Sequence, residues 1–369
     1  MARLFRQLAR GRSRAVAVAI GTCLLSAGCG RPPGGYEIVV IPKGMTHEHW
    51  QSVHRGALRA ADDLAAEGIT VRILWDGPLR ERDALEQVRI VDRRVATGVS
   101  GVVLAPQHSR IMSAPVKRAW EEHVPVVVID SGLADRDRIV KYVATDNYHG
   151  GWMAAEHLWK VLHDAGITEP RLVLLRYQVG SESTEQREQG FLDYFDLSNH
   201  NRPRSFPPPQ KVIWKSTDQY AGATRDSASR AAAPLVQKLA GEIDAIFAPN
   251  ESSAGGTLDV LRSQQLNQKI RLMAFDSSKP LLQAIEEGDV IGSIIQDPYW
   301  MGYLSTWTLV RYLEGDDVNA GRKDLDVSTG EYLVTKENVR STSTLEKFNP
   351  EVQRLRTMNP PRFARLAKQ

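Results

Sequence analysis

The stretch 244-DAIFAPNESSAGGTLDVLRSQQLNQKIRLMAFDSSKPLLQAIEEGDVIGSIIQ-296 reads as strand, loop, helix, strand, loop, helix, strand. Each of its apolar runs ends on a polar residue: Asn250 after AIFAP, Asp276 after RLMAF and Gln296 after IGSII. In an open parallel sheet the carboxyl ends of the strands face a crevice where ligands bind. One polar strand end is an ordinary turn residue. Three at matching positions point to a small polar ligand held at the strand ends.

The same plan extends in both directions. Upstream, strands at Glu37–Ile41, Val71–Trp75, Gly101–Ala105 and Val126–Asp130 alternate with helices at Glu48–Gly68, Glu81–Thr97 and Arg110–His123. The first helix carries its stripe Trp50, Val53, Ala57, Leu58, Ala61, Leu64 and Ala65 at helical spacing, and Gly68 stops it. A connecting strand at Val140–Ala144 leads into helix Tyr148–Asp164, strand Leu172–Leu175, helix Thr184–Asn199, strand Val212–Lys215 and helix Ala221–Ala240. Helix Tyr299–Glu314 and strand Glu331–Thr335 follow Gln296. Repeated βα units of this kind specify an α/β fold with doubly wound, Rossmann-like parallel sheets and right-handed crossovers. A chain of 369 residues is long enough for two such lobes, each with its own core.

Composition narrows the function classes. The formal charge of +3 owes its sign to Arg3, Arg6, Arg10, Arg12 and Arg14; without them 42 basic residues face 44 acidic ones, a balance of −2. That balance gives no electrostatic reason to expect nucleic acid. The five arginines precede the apolar run AVAVAIGTCLLSAG, which reads as an export signal over residues 1–28. LSAGC resembles a bacterial lipobox with Cys29 as the lipidated first mature residue; a plain secretory signal cut nearby is the other reading. Residues 29–36 then form a tether. The only other cysteine, Cys23, lies inside the signal, so the mature chain is expected to carry neither a disulfide nor a cysteine metal site.

Four pieces, three within that opening stretch and one starting at its last residue, carry a family resemblance: Phe247-Ala248-Pro249-Asn250-Glu251, Ala274-Phe275-Asp276, Ile285-Glu286-Glu287-Gly288 and Gln296-Asp297-Pro298-Tyr299-Trp300-Met301-Gly302. In order and spacing they resemble the type I periplasmic sugar-binding proteins, the ribose-binding group that shares its fold with LacI-type repressor cores. The resemblance runs from about Glu37 to about Leu333. It implies two lobes joined by three hinge crossings, near Ala144, Gln296 and Asp326, that close on a ligand. The expected division is 37–144 plus 297–326 for the N-terminal lobe and 145–296 plus 327–340 for the C-terminal lobe, with 341–369 as a C-terminal tail.

The resemblance also implies site residues. Aligning WQSVHRGA by its glycine sets Trp50 and His49 on two cleft aromatics and His47 where sugar binders keep Asn. An aromatic face suits the C–H face of a sugar ring, while hydroxyls meet polar groups. Core packing is the other reading of Trp50, and solvated loop residues that of the histidines. Asp130 matches a strand-end Asp that accepts two sugar hydroxyls; Ser131 replaces the Arg that often follows it, so a donor is missing there. Ala105 replaces an Asn, and Gln107 or His108 is expected to compensate. Asp146, in Thr145-Asp146-Asn147, either meets ligand or caps the next helix. Arg187, in R-x-x-G-F, either reaches into the cleft or is a solvated helix residue. Asn250, Asp276 and Gln296 complete the expected set, and Glu251 replaces a common Asp.

The leading expectation is thus a monomeric extracytoplasmic solute-binding lipoprotein that passes a sugar-like molecule to an ABC importer permease, without cofactor or metal. A sensor subunit presenting ligand to a histidine kinase or chemoreceptor is the alternative. A carbohydrate-active enzyme built on Asp130 and Asp276 is a third, but the sequence holds no Gly-x-Ser-x-Gly, HExxH, Walker or GxGxxG motif. A repressor is disfavoured because an export signal stands where its DNA-binding helices would be.

Overall fold

A computed structural model describes residues 32, 34–199, 203–319 and 325–354. The export signal, Cys29 and half of the tether lie outside the described residues.

The first half begins with β1 (Tyr36–Ile41), α1 (Glu48–Ala66), β2 (Val71–Trp75) and α2 (Ala84–Ala96). It continues through β3 (Gly101–Leu104), α3 (Ser113–Glu121), β4 (Val126–Ile129) and β5 (Lys141–Ala144). The second half opens with α4 (Asn147–Asp164), β6 (Arg171–Leu174), α5 (Glu182–Phe195), β7 (Ile213–Ser216) and α6 (Arg225–Leu239). It proceeds through β8 (Ala245–Phe247), α7 (Glu251–Ser263), β9 (Arg271–Phe275), α8 (Lys279–Glu287) and β10 (Gly292–Ile295). The described residues close with α9 (Pro298–Leu313), β11 (Asp326–Ser328), β12 (Tyr332–Val334), α10 (Thr342–Phe348) and α11 (Pro350–Arg354).

Two six-stranded sheets result, ordered β11-β5-β4-β3-β1-β2 and β12-β10-β9-β8-β6-β7. The first is parallel throughout, and only β12, antiparallel to β10, departs from this in the second. Apolar side chains fill both faces: β3 and β4 are buried at every position. That is why their sequences run apolar without alternation.

Each lobe is braced by one tightly crossed helix pair that uses glycine. In the first, a Cβ on Gly56 of α1 would sit 1.9 Å from the Tyr299 carbonyl oxygen, and one on Gly302 of α9 would sit 1.9 Å from that of Val53. In the second, Gly151 of α4 and Gly190 of α5 meet the carbonyls of Arg187 and Tyr148 at the same 1.9 Å. These are backbone-on-backbone contacts, which only a residue without a side chain permits.

Two expectations about the chain's course are corrected. β11 pairs with β5 in the first sheet, so residues 327 and 328 belong to the N-terminal lobe and the third crossing falls just after Ser328. A three-residue strand with a charged start carries no periodic signal. The region 341–369 is also more than a tail. Phe348 packs against the second lobe's core. Five residues on, fully buried Gln353 donates to Ser52 Oγ (2.8 Å) and accepts from Arg55 Nη2 (3.0 Å), both on α1. Immediately before Phe348, Lys347 pairs with Asp297, the residue that caps α9, at 3.3 Å. Residues 342–354 therefore strap one lobe to the other.

Candidate ligand-binding cleft

The strand ends of the two sheets face each other across one tight cavity of about 40 Å³. Of the residues singled out in the sequence, His47, His49, Trp50, Asp130, Arg187, Asn250, Asp276 and Gln296 line it.

Asp130 closes β4 and is 3 % exposed. Lys43 Nζ stands 2.7 Å from its Oδ2, and His49 Nε2 3.4 Å from its Oδ1. Burial alone would raise the Asp130 pKa, but Lys43, His49 and Arg187 together hold it well below the usual carboxylate range. Lys43 also donates to Ser183 Oγ of the opposite lobe at 3.0 Å. The donor that the sequence lacks at Ser131 is thus supplied by Lys43, two residues past β1. Ser131 itself accepts from Ser183 N at 2.9 Å, joining the lobes.

Asp276 closes β9 in the other lobe. Arg187 Nη1 lies 3.4 Å from both of its oxygens, and Gln296 Nε2 donates to Oδ1 at 2.5 Å. Arg187 is fixed on three sides. Its Nε donates to Asn147 Oδ1 (2.8 Å), its Nη1 to the Pro249 carbonyl (3.0 Å), and its guanidinium lies 3.9 Å over the Phe275 ring. The reading of Arg187 as a solvated helix residue is thereby excluded, since it is 2 % exposed. Close packing of Gly151 on the Arg187 carbonyl sets the backbone from which the side chain extends.

Trp50 serves both the core and the cleft. It is 3 % exposed and packs with Val53 and Leu304, yet lines the cavity. Its Nε1 donates to Glu81 Oε1 at 2.5 Å, while Tyr177 OH, from the other lobe, donates to Glu81 Oε2 at 2.7 Å. His47 approaches Glu251 Oε2 with Nδ1 at 3.6 Å and Glu81 Oε1 with Nε2 at 4.0 Å. The nearby Glu251 carboxylate outweighs burial and, with the charges of Glu81 and Asp276, raises the His47 pKa to about 9. His47 is therefore an imidazolium at neutral pH, not a solvated loop residue.

Asn250 has a second duty. Its Oδ1 accepts from Ser253 N at 3.1 Å and caps α7. Two expected residues do not reach the cavity. Gln107 is 2 % exposed, and its Nε2 donates to the backbone carbonyls of Lys43 and Arg80, so it props the loop that carries Lys43. Asp146 accepts from His149 N at 2.8 Å as the cap of α4, and borders a separate space at the hinge. Residues that sequence reading missed are Lys43, Glu81, Tyr177, Ser181, Ser183 and Thr184. Lys43 could have been found by the strand-end rule; the others sit on loops and a helix start without periodic signal.

The cavity offers unmatched polar atoms. Gln296 Oε1, His49 Nε2 and Asp130 Oδ2 are buried and make no aligned hydrogen bond among the described residues. For the last two the ion-pair contacts above are close without hydrogen-bond alignment. A guest with several hydroxyl groups would satisfy them. Among the described residues no group of three His, Cys, Asp or Glu side chains could hold a metal ion, and no helix is long and apolar enough to cross a membrane.

Known proteins share this architecture. A solute-binding protein of a carbohydrate transporter from Agrobacterium radiobacter, solved with D-arabinose, superposes with a TM-score of 0.75 at 28% identity, covering 86% of this chain and 100% of that one. An ABC transporter solute-binding protein from Agrobacterium vitis with bound D-fucose gives 0.73 at 26% identity, over 85% and 99%. Among curated sequences, the ribose import binding protein RbsB of Haemophilus influenzae is 25% identical over 265 residues, 72% of this chain and 81% of that protein. The D-ribose/D-allose-binding protein of Pseudomonas aeruginosa is 23% identical over 319 residues, 84% and 92%. The sequence profile of the periplasmic binding protein domain matches residues 38–317. With that span, its paired sheets and its interlobe cleft, the chain belongs to the periplasmic binding protein domain family.

Proposed function

We propose that this protein captures a sugar or sugar-like molecule between its lobes on the periplasmic side of the cell envelope and delivers it to an ABC importer. One observation carries the reading: Asp130 and Asp276, from different lobes, face one cavity together with Arg187, Lys43 and Trp50. Carboxylates accept from neighbouring hydroxyls, the cations donate to ring and hydroxyl oxygens, and the indole covers the apolar ring face. The matched relatives are binding proteins, several of them named for sugar import or sugar binding. The protein is accordingly a receptor and not an enzyme, and binding energy drives closure that a permease reads. We further propose that the mature chain is a monomer anchored through lipid on Cys29.

The test is a thermal-shift screen against pentoses, hexoses, polyols and aminosugars. A ligand that binds only the folded state raises Tm. A rise with one sugar, absent in Asp276→Ala, supports the reading; no rise with any of them refutes it. Metabolic labelling with palmitate, compared with Cys29→Ala, tests the anchor.

A further inference from the structure

Glu81 joins the aromatic floor of the cleft to the opposite lobe. Its Oε1 accepts from Trp50 Nε1 at 2.5 Å, and its Oε2 accepts from Tyr177 OH of the second lobe at 2.7 Å. Its backbone carbonyl accepts from Gln178 Nε2, also of the second lobe, at 3.1 Å.

The loop that carries Glu81, between β2 and α2, is braced on both sides. One residue earlier, the Arg80 carbonyl accepts from Gln107 Nε2 at 3.0 Å. Two residues later, Asp83 caps α2 by accepting from Glu86 N at 3.0 Å. The Glu81 stem passes over Gly44 of the β1–α1 loop, where an added Cβ would sit 2.9 Å from Glu81 Cγ. A side chain at position 44 would therefore displace the carboxylate.

The indole needs such a clamp. The second side-chain torsion of tryptophan is broad, whereas a ring that covers the C–H face of a sugar must keep one plane. Trp50 is fixed at two edges. Glu81 holds its N–H, and His49 meets it edge-on, with ring centroids 4.6 Å apart at 78°. His49 in turn faces Asp130 at 3.4 Å. Asp130, His49, Trp50, Glu81 and Tyr177 thus form an unbroken run from a strand-end acid, along the aromatic floor, to the second lobe. An indole N–H can only donate, and a carboxylate accepts on two oxygens. Glu81 gives one oxygen to each lobe.

We propose that Glu81 is a positioning residue that couples ligand affinity to lobe closure. It acts through its two donors: it sets the plane of Trp50, and it takes the Tyr177 hydroxyl when the lobes meet. Parting the lobes withdraws Tyr177 and Gln178 from Glu81, so these bonds favour the closed state alone. The effect on affinity rests on the sugar-binding reading of the cleft; the clamp on the indole does not.

Glu81→Gln, Tyr177→Phe and their double variant, made in the full-length protein, test the proposal. The first readout is the set of indole N–H resonances in proton–nitrogen spectra, with that of Trp50 identified by its loss in Trp50→Phe. A charge-assisted bond is short and strong and draws its proton downfield. Glu81→Gln is expected to move the Trp50 resonance upfield, and Tyr177→Phe is not. An unmoved resonance in Glu81→Gln overturns the positioning role.

The second readout is calorimetric titration with D-ribose, D-arabinose and D-fucose. Each single variant is expected to bind the parent's sugar roughly ten-fold more weakly, as for one hydrogen bond to a charged group. The double variant should bind no more weakly than Glu81→Gln, because both changes remove one shared contact. Losses that multiply in the double variant, or single-variant affinities within about two-fold of the parent, overturn the coupling. If the parent binds none of these sugars, that failure belongs to the sugar-binding reading. The same four proteins unfolded in urea then decide: a Glu81–Tyr177 coupling near zero overturns the proposal, and a favourable coupling upholds it.

Discussion

Asp130 and Asp276 hold equivalent posts in the two lobes: each lies one residue past an interior strand, β4 or β9, and each has a left-handed backbone, with φ of 64° and 68°. That region is sparsely used by residues other than glycine, and Asp tolerates it better than most. The turn swings each carboxylate off the strand axis into the cleft. Backbone strain of this kind collects at functional sites.

Substitution at Asp276 should therefore separate shape from charge. Asp276→Asn keeps a side chain that accepts the left-handed turn but loses the negative charge beside Arg187. We expect roughly a 30- to 100-fold loss of affinity for the bound sugar, about 2–3 kcal/mol, as for charge-assisted hydrogen bonds, with Tm little changed. Asp276→Ala should lose both affinity and Tm. Calorimetry and thermal melts of the two variants check this.

Lys43 is the cation that faces Asp130 at 2.7 Å with both groups almost fully buried. Lys43→Met leaves the carboxylate without its ion-pair partner in a desolvated site. Breaking one side of such a pair costs about 3–5 kcal/mol. Urea unfolding should show a loss of that order, and Asp130 should titrate at a higher pH than in the parent protein, which carboxyl chemical shifts would report. An unchanged stability would mean that the pair is solvated.

His47 predicts a limb of alkaline sensitivity. Its folded pKa, about 9, lies above the ordinary value of 6.5. Its contribution is then fully present below about pH 6.5 and is lost as pH rises through 9. Tm should fall between pH 7 and 10 more steeply in the parent than in His47→Gln, where that limb should flatten. Asp130 has the opposite sign: its folded pKa is depressed, so its contribution is present above the ordinary carboxylate value and is lost in strong acid.

Gly190→Ala places a methyl carbon 1.9 Å from the Tyr148 carbonyl oxygen, and Gly56→Ala does the same to that of Tyr299. Neither backbone can yield without parting a helix pair. We expect each to destabilise by about 3 kcal/mol, at the upper end for overpacking. Gly166→Ala is the control: nothing lies within 4 Å of its added carbon, but its φ of 83° imposes conformational strain alone, about 1 kcal/mol. Chemical denaturation of the three variants ranks them.

Much of this was legible in the sequence because a parallel sheet writes its function at strand ends. Asn250, Asp276, Gln296 and Asp130 each follow an apolar run, and the run's end fixes which way the next side chain points. Lys43 follows the end of β1 in the same way, but one residue later, beyond Pro42. Glu81 and Tyr177 could not be read so. They reach the cleft from loops, and they meet each other only because the two lobes meet. Gln107 was misplaced for the converse reason, and at Asp146 the helix-capping alternative is the one realised. Both lie close to strand ends in sequence, but each turns its polar atoms onto nearby backbone. The strap of residues 342–354 was hidden because its anchor, Gln353, is a polar residue that becomes fully buried only on α1.

The first sheet takes its edge strand β11 from residues 326–328, and α1 takes its closely fitted partner α9 from residues 298–313. The amino-terminal lobe is thus not finished when its own first 144 residues have been synthesised. It waits for nearly two hundred more, during which the whole carboxy-terminal lobe is laid down. A polypeptide wired in this way cannot complete its folding piecemeal as it emerges. That delay means that residues 36–144 expressed alone should not yield a stable protein.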